Sequence, residues 1–171
     1  LELRPLVAAD FAAIKTWFAN EAALVQWAGP GIRYPLDAVQ IDAMLAESTG
    51  QPPTRLLWVG LEGQAVSAHA QLAIDWRNGV ARLARVALDP AKRGRGLAAP
   101  FLAKIRDAAF ALDCIERLEL NVYTFNEAAI RTYRRLGFVE EGVRRSAVKV
   151  GDARWDTAMF GLLREEWQQQ S

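Results

Sequence analysis

The chain of 171 residues has one cysteine, Cys114, and one histidine, His69. A lone cysteine cannot close an intramolecular disulfide, and a structural zinc site needs more thiolate and imidazole ligands than one of each. Charge of one sign is lacking too: 21 Lys+Arg against 20 Asp+Glu leave a formal charge of +1. Without a net field, nothing draws the molecule as a whole toward nucleic acid or an anionic membrane, so phosphate binding must be local. No apolar run approaches the roughly 18 residues of a membrane span. Leu1 to Asp10, interrupted by Glu2, Arg4 and Asp10, has no signal-peptide core. The expectation is a cytoplasmic protein without a metal site, one domain over residues 1–171, held together by a core to which 51% hydrophobic residues contribute.

Hydrophobic period divides the chain. Leu1, Leu3 and the Pro5 to Val7 stretch predict a short first strand, and Asp10 is the expected N-cap of a helix with Phe11, Ile14, Trp17 and Phe18 on one face. The segment with Trp27 leads into a Gly29-Pro30-Gly31 loop; Leu36 to Glu47 has helical spacing and ends at Gly50, Pro52 and Pro53. From Leu56 the period becomes two. Leu56 to Leu61, Ala65 to Asp75 and Val80 to Leu88 read as an antiparallel meander, its second turn marked by Asn78-Gly79. A helix striped by Leu97, Phe101, Ile105, Ala108 and Leu112 follows, then a strand over Arg117 to Tyr123. Asn126 caps a helix to Leu136 that Gly137 ends, and strands at about Val139 to Val148 and Arg154 to Leu162 flank Gly151-Asp152. The order β-α-α-β-β-β-α-β-α-β-β implies the α+β class: one mixed, mostly antiparallel sheet of about seven strands, with helices on its faces.

One loop stands out chemically. Arg93-Gly94-Arg95-Gly96-Leu97-Ala98 joins a strand to a helix, where free N–H groups and the positive helix end suit phosphate oxygens. Gly94 and Gly96 permit close approach, and Lys92, Arg93 and Arg95 supply local charge. The string from Gly94 to Ala99 formally satisfies a dinucleotide fingerprint, with Glu116 or Glu119 near the ribose-binding distance. The context disagrees, because Asp89 to Arg93 separate the first glycine from its strand and the meander is antiparallel. A nucleotide-hydrolase P-loop is absent, since no Gly-Lys-Ser/Thr follows.

The loop matches the Arg/Gln-x-x-Gly-x-Gly/Ala motif of the GNAT superfamily of N-acetyltransferases, and the chain resembles that family elsewhere. Asn126 to Phe138 is similar to its Asn-x-x-Ala-x-x-x-Tyr-x-x-x-Gly-Phe helix, in the right order and at the right remove. Gly142, Arg144, Gly151, Asp156 and the run Met159 to Trp167 resemble the RimJ/RimL-type branch.

The resemblance implies acetyl-CoA as cosubstrate, without a metal. Its pantetheine amides would pair with the backbone of Val86, Ala87 and Leu88, and its pyrophosphate would rest on the N–H groups of Arg93, Gly94, Arg95, Gly96, Leu97 and Ala98. Asn126 would contact it, and Tyr133 would lie near the sulfur as general acid. The partner implied is an amine acceptor, a protein or peptide N-terminus or a small molecule; a homodimer is compatible. The general base is unassigned: the family's usual carboxylate positions hold Arg82 and Asn121. Glu119, Asp75 and His69 are candidates, and an amine deprotonated through burial and water is an equal one. The missing carboxylates motivate an alternative, a non-catalytic acyl-CoA-binding module. His69 otherwise reads as a satisfied strand residue, Cys114 as a small packed side chain, Trp17 and Trp58 as core, and Trp27 as a candidate for the acceptor pocket.

Overall fold

The computed structural model describes residues 1–170. Its strands are β1 (Glu2–Pro5), β2 (Arg55–Glu62), β3 (Ala65–Asp75), β4 (Val80–Leu88), β5 (Arg117–Tyr123), β6 (Val139–Val150) and β7 (Ala153–Leu163). Its α-helices are α1 (Phe11–Ile14), α2 (Glu21–Ala28), α3 (Ala38–Ala46), α4 (Ala98–Phe110), α5 (Glu127–Arg135) and α6 (Arg164–Gln168). The strands form one sheet in the order β1-β2-β3-β4-β5-β7-β6. Every neighbouring pair is antiparallel except β4 and β5, which α4 joins by a crossover. The expected mixed, mostly antiparallel sheet of seven strands is present.

Alternation along the strands separates two cores. On one face Leu72, Leu83, Leu118, Leu120 and Phe160 pack with Phe101 and Ile105 of α4 and with Tyr133 and Leu136 around α5. On the other, Val59 and Ala87 lie under Phe11, Ile14, Leu24, Trp27 and Met44 from the N-terminal helices. Full burial of one such large apolar side chain contributes about 1.5–3 kcal/mol, so both helical layers are anchored by many small terms. No helix among the described residues is long and apolar enough to cross a membrane.

The N-terminal third departs from expectation. Asp10 does not cap a helix. The cap position is Val7, followed by a 3-10 turn over Ala8–Asp10, the four-residue α1 and a second 3-10 turn over Lys15–Trp17. Asp10 sits inside this run, where its carboxylate accepts the Val7 N–H at 2.8 Å and both Arg4 terminal nitrogens at 2.8 Å. It thus ties β1, which ends at Pro5 rather than Val7, to the helical layer. The second departure is α2, absent from the expected order. Asn20 caps it by accepting the Ala23 N–H at 2.9 Å, and Gly29, with φ +82°, ends it. A helix of two turns has too few apolar positions to declare a period. At the other end of the chain, α6 follows β7 directly, its start secured by Glu166 accepting the Leu163 N–H. Cys114 is exposed rather than packed, because it falls in the turn after α4.

The hydrogen bonds from Arg4 hold the Asp10 carboxyl below its ordinary range, against the opposing effect of burial. A carboxyl with a depressed folded-state pKa stabilises the fold above the unfolded value of about 4 and loses that contribution as pH falls through the folded value. Asp10→Asn should therefore cost about 1–2 kcal/mol at neutral pH, and the gap to wild type should close as urea unfolding is repeated from about pH 5 toward pH 2. A gap independent of pH would show that the pair contributes nothing through its charge.

Candidate active site

The site begins with a break in strand pairing. β4 and β5 are in parallel register only from Val80 opposite Arg117 to Leu83 opposite Leu120. β4 continues to Leu88 and β5 to Tyr123, so beyond Leu83 the facing edges splay and leave main-chain groups without a strand partner. The cause is a β-bulge. Ala84 pairs with Gln71 and Ala87 with His69, which sets Arg85 and Val86 together against Ala70. Arg85 has φ +50°, a conformation that costs a side-chain-bearing residue about 1–3 kcal/mol.

Hydrogen bonds hold this backbone in place. The Trp27 indole N–H donates to the Arg85 carbonyl at 2.7 Å. Arg85 Nη1 donates to Gln71 Oε1 at 3.0 Å, Gln71 Nε2 lies 3.1 Å from His69 Nε2, and His69 Nδ1 lies 2.9 Å from the Trp58 carbonyl. A carbonyl can only accept, so Nδ1 carries the proton and Nε2 accepts from Gln71; the ring is neutral with both nitrogens used. Complete burial pushes the His69 pKa down to about 4. His69 is therefore a link in the support of the bulge, and the sequence candidate for a base is removed. Trp27, the candidate for the acceptor pocket, lines the cleft, and its indole N–H is committed to the bulge.

The splay opens a cleft with a cavity volume of about 310 Å³. Arg82 to Val86, Asn121 to Tyr123, Asn126 and Tyr133 line it, with Gln26 to Ala28 from the end of α2 and Gly29 and Pro30 after it. Tyr133 reaches it from α5, 6% exposed, its ring edge-on to Phe138. No hydrogen bond among the described residues engages its hydroxyl, and burial raises its pKa, so the phenol stays protonated and free to donate. Asn126 Oδ1 accepts the Ala129 N–H at 3.3 Å, which leaves the amide nitrogen for the cleft.

No Asp, Glu or His lines the cleft among the described residues. Arg82 and Asn121, at the positions where a carboxylate was expected, do line the cleft. Glu119 does not, being held by Arg82 at 2.6 Å and Arg117 at 3.0 Å; burial raises its pKa, but those two guanidiniums outweigh burial and keep it below the usual range. Asp75 closes the β3–β4 turn by accepting the Asn78 N–H at 3.0 Å. Trp155 belongs to an aromatic cluster with Tyr123 and Phe125.

The glycine loop lies beyond Val86, Ala87 and Leu88. Gly94 and Gly96 adopt φ +76° and +75°, and a Cβ on either would meet nothing within 4 Å. The Arg93 N–H is taken by the Pro90 carbonyl at 3.4 Å, so it leaves the expected set, while those of Gly94 to Ala98 have no protein acceptor among the described residues. These five donors lie at the start of the 13-residue α4. The charge differs from the sequence reading: Lys92 and Arg95 both pair with Glu62, at 3.1 and 3.4 Å, and Lys92 also donates to Ser67 Oγ. Of Lys92, Arg93 and Arg95, only Arg93 has no ion pair among the described residues. A row of backbone donors, open space above it and one unpaired guanidinium fit a diphosphate.

The bulge and the arginines at 55 and 85 were missed from sequence. One signal was present: buried Ala81 and Leu83 set a period of two that would bury residue 85, yet arginine stands there.

Residues 19–138 match the profile of the acetyltransferase (GNAT) family. A relative, the SPbeta prophage-derived uncharacterized N-acetyltransferase YokL of Bacillus subtilis (strain 168), is 25% identical over 137 residues, 80% of this chain and 77% of its own. Among solved structures, the spermidine N-acetyltransferase of Vibrio cholerae in complex with CoA and spermine superposes with a TM-score of 0.83 at 18% identity, over 98% of this chain and 97% of that one. RimL, a ribosomal L7/L12 alpha-N-protein acetyltransferase in complex with CoA, gives 0.78 at 17% identity, over 94% and 92%. Such likeness carries the fold and does not single out the RimJ/RimL branch. The matched span contains the splayed strands, the glycine loop and the tyrosine helix together, and the chain belongs to the acetyltransferase (GNAT) family.

Proposed function

We propose that this chain transfers the acetyl group of acetyl-CoA to a primary amine, on a protein or peptide N-terminus or a small molecule, by direct attack within a ternary complex. The observation that carries the reading is the splay of β4 from β5, with free N–H donors at one end and the Tyr133 hydroxyl opening on it. Both acceptor types occur among the relatives, as spermine and a ribosomal-protein N-terminus. Assignment to the RimJ/RimL branch rests on the C-terminal signature. Of its residues, Arg144 lines the cleft and Asp156 accepts the Ser146 N–H in the β6–β7 hairpin.

Each residue has a task. Gly94 to Ala98, with Arg93, hold the pyrophosphate, and the unpaired edge of Val86 to Leu88 receives the pantetheine amides. Asn126 contacts the same molecule. The thioester, when bound, supplies an acyl group whose leaving group is a thiolate. Tyr133 donates a proton to the departing sulfur, a role its raised pKa permits at neutral pH. No side-chain base is needed if the amine arrives neutral: Arg85 and Arg144, which line the cleft without an ion pair among the described residues, disfavour an ammonium by like-charge repulsion, burial acts in the same direction, and water carries the proton away. The missing carboxylates therefore do not favour a module that only binds acyl-CoA, since Tyr133 keeps its free hydroxyl in the cleft.

Thiol release from acetyl-CoA across an amine panel tests the reading; none above hydrolysis, with CoA binding intact, would leave only the binding module. Tyr133→Phe should lower kcat about a hundredfold or more with the KM for acetyl-CoA little changed, and an unchanged kcat would remove Tyr133 from the chemistry. Gly96→Val forces a branched side chain into positive φ above the donor row and should raise the Kd for CoA at least about tenfold. Arg93→Ala should weaken binding by less, since it removes one exposed charge. Unaltered affinity in both variants, measured by calorimetry, would move the phosphate site elsewhere.

A further inference from the structure

We infer that the acceptor amine carries an oxyanion, a carboxylate or a phosphonate, and that Arg55 and Arg85 receive it. The inference rests on the acetyl-transfer reading and adds to it the chemistry of the acceptor.

Four arginines line the cleft, Arg55, Arg82, Arg85 and Arg144, and no acidic residue does among the described residues. Their charges are unequally matched. Arg82 is paired with Glu119, and Arg55 is paired through Nε with Glu47. Arg85 has only the neutral Gln71 as a hydrogen-bond partner among the described residues. Arg144, exposed on β6, has no ion pair among them.

The decisive atom is Arg55 Nη1, which is buried and has no hydrogen-bond partner among the described residues. A buried guanidinium N–H left unpaired is rare in folded proteins and is expected where something absent from the protein completes it. Arg85 stands close enough for the two positive charges to oppose each other, and burial together with that repulsion disfavours its charged form. One carboxylate, Glu47, serves both. The pair therefore holds an excess positive charge and unused planar donors, the combination that binds a carboxylate or phosphonate through two parallel hydrogen bonds.

Position assigns this site to the acceptor. Arg55 pairs across β3 through Ala73 to Arg82, near the start of β4, whereas the glycine loop follows the other end of that strand. Arg82 to Leu88 is six residues, roughly 20 Å of strand at 3.3 Å per residue, too far for Arg55 to serve a diphosphate on Gly94 to Ala98. A polycationic amine would enter a cleft lined by four guanidiniums, while an amino acid or aminoalkylphosphonate would match the one positive charge that Glu47 leaves over on Arg55 and Arg85, with its amine facing the splay.

The test uses the full chain with saturating acetyl-CoA and matched acceptors: amino acids including β-alanine, their carboxamides, aminoalkylphosphonates, and spermidine as polycation. Amines with an oxyanion should exceed their uncharged counterparts in kcat/KM by about tenfold to a hundredfold, the worth of hydrogen bonds to a charged group. The carboxylate and phosphonate arms show which oxyanion is preferred. In Arg85→Gln and in Arg55→Lys, which keeps a cation for Glu47, that ratio should collapse, mainly through KM for the charged acceptor. Equal rates for carboxylate and carboxamide, or a preference for spermidine, would overturn the inference with acetyl transfer standing. Should no amine be acetylated, calorimetric titration of the same acceptors into the CoA-saturated protein decides: tighter binding of the oxyanion forms, lost in Arg85→Gln, supports the site without catalysis, and no difference removes it.

Discussion

The hydrogen bond from the Trp27 indole to the Arg85 carbonyl is the contact on which the site depends. Without the bulge, β4 would continue in register with β5, and every main-chain group along that edge would be spent on the sheet. With it, two residues occupy the space of one, the strand turns away after Leu83 and a cleft appears in the middle of the sheet. A positive φ at an arginine is unfavourable alone, so the surroundings must over-determine it. They do so from two directions, Trp27 holding the carbonyl and the chain of Trp58, His69 and Gln71 holding the guanidinium. Two of the buried polar residues of β3, His69 and Gln71, are accounted for by this support, while Ser67 accepts from Lys92 beside the glycine loop. His69, with no free nitrogen, is a structural imidazole whose neutrality the network requires.

The charge distribution follows a similar division of labour. A formal charge of +1 hides a cleft lined with arginine and a glycine loop whose basic residues are largely matched by Glu62. At the loop, binding capacity lies chiefly in oriented backbone donors, which need no counterion and no reorganisation. In the cleft it lies in guanidiniums, of which Arg55 and Arg82 have carboxylates outside the lining, Glu47 and Glu119, while Arg85 and Arg144 have no ion pair among the described residues. The balance sheet of the whole chain therefore says little about either end of the site.

Much of the fold was legible because its signals are local. The meander from β2 to β4 announces itself by a period of two and an Asn-Gly turn; α5 by Asn126 at its cap and Gly137 past its end. Tyr133, Asn126 and the glycine loop were read from spacing and family likeness; the structure places Tyr133 and Asn126 in the lining of one cleft and the loop after the strand that borders it. What escaped is non-local or short. Asp10 looked like a cap because its long-range partner, Arg4 on β1, was invisible, and α2 is too brief to show a stripe. The pairing of Lys92 and Arg95 with Glu62 joins residues about thirty positions apart. Arg55 is distant in sequence from every motif and enters the cleft only because β2 lies beside β3. The bulge alone left a trace, the misplaced arginine in the alternation of β4.

The arginines also bear on how an amine could react where no carboxylate is at hand. A general base must be placed within hydrogen-bond reach of the proton it removes, and it offers catalysis only if its own pKa suits the working pH. A cationic lining acts earlier, on the equilibrium between ammonium and amine, because each nearby positive charge lowers the fraction that arrives protonated. In the proposed reaction Arg82, at a position where a carboxylate would accept a proton, offers no acceptor, and the cationic lining as a whole makes the proton unwelcome. If the acceptor carries an oxyanion, the two effects separate: Arg55 and Arg85 are matched by the acceptor's own charge, while Arg144, without an ion pair among the described residues, still opposes an ammonium. Binding and deprotonation would then draw on different guanidiniums, which explains why a cleft without a carboxylate contains more than one of them.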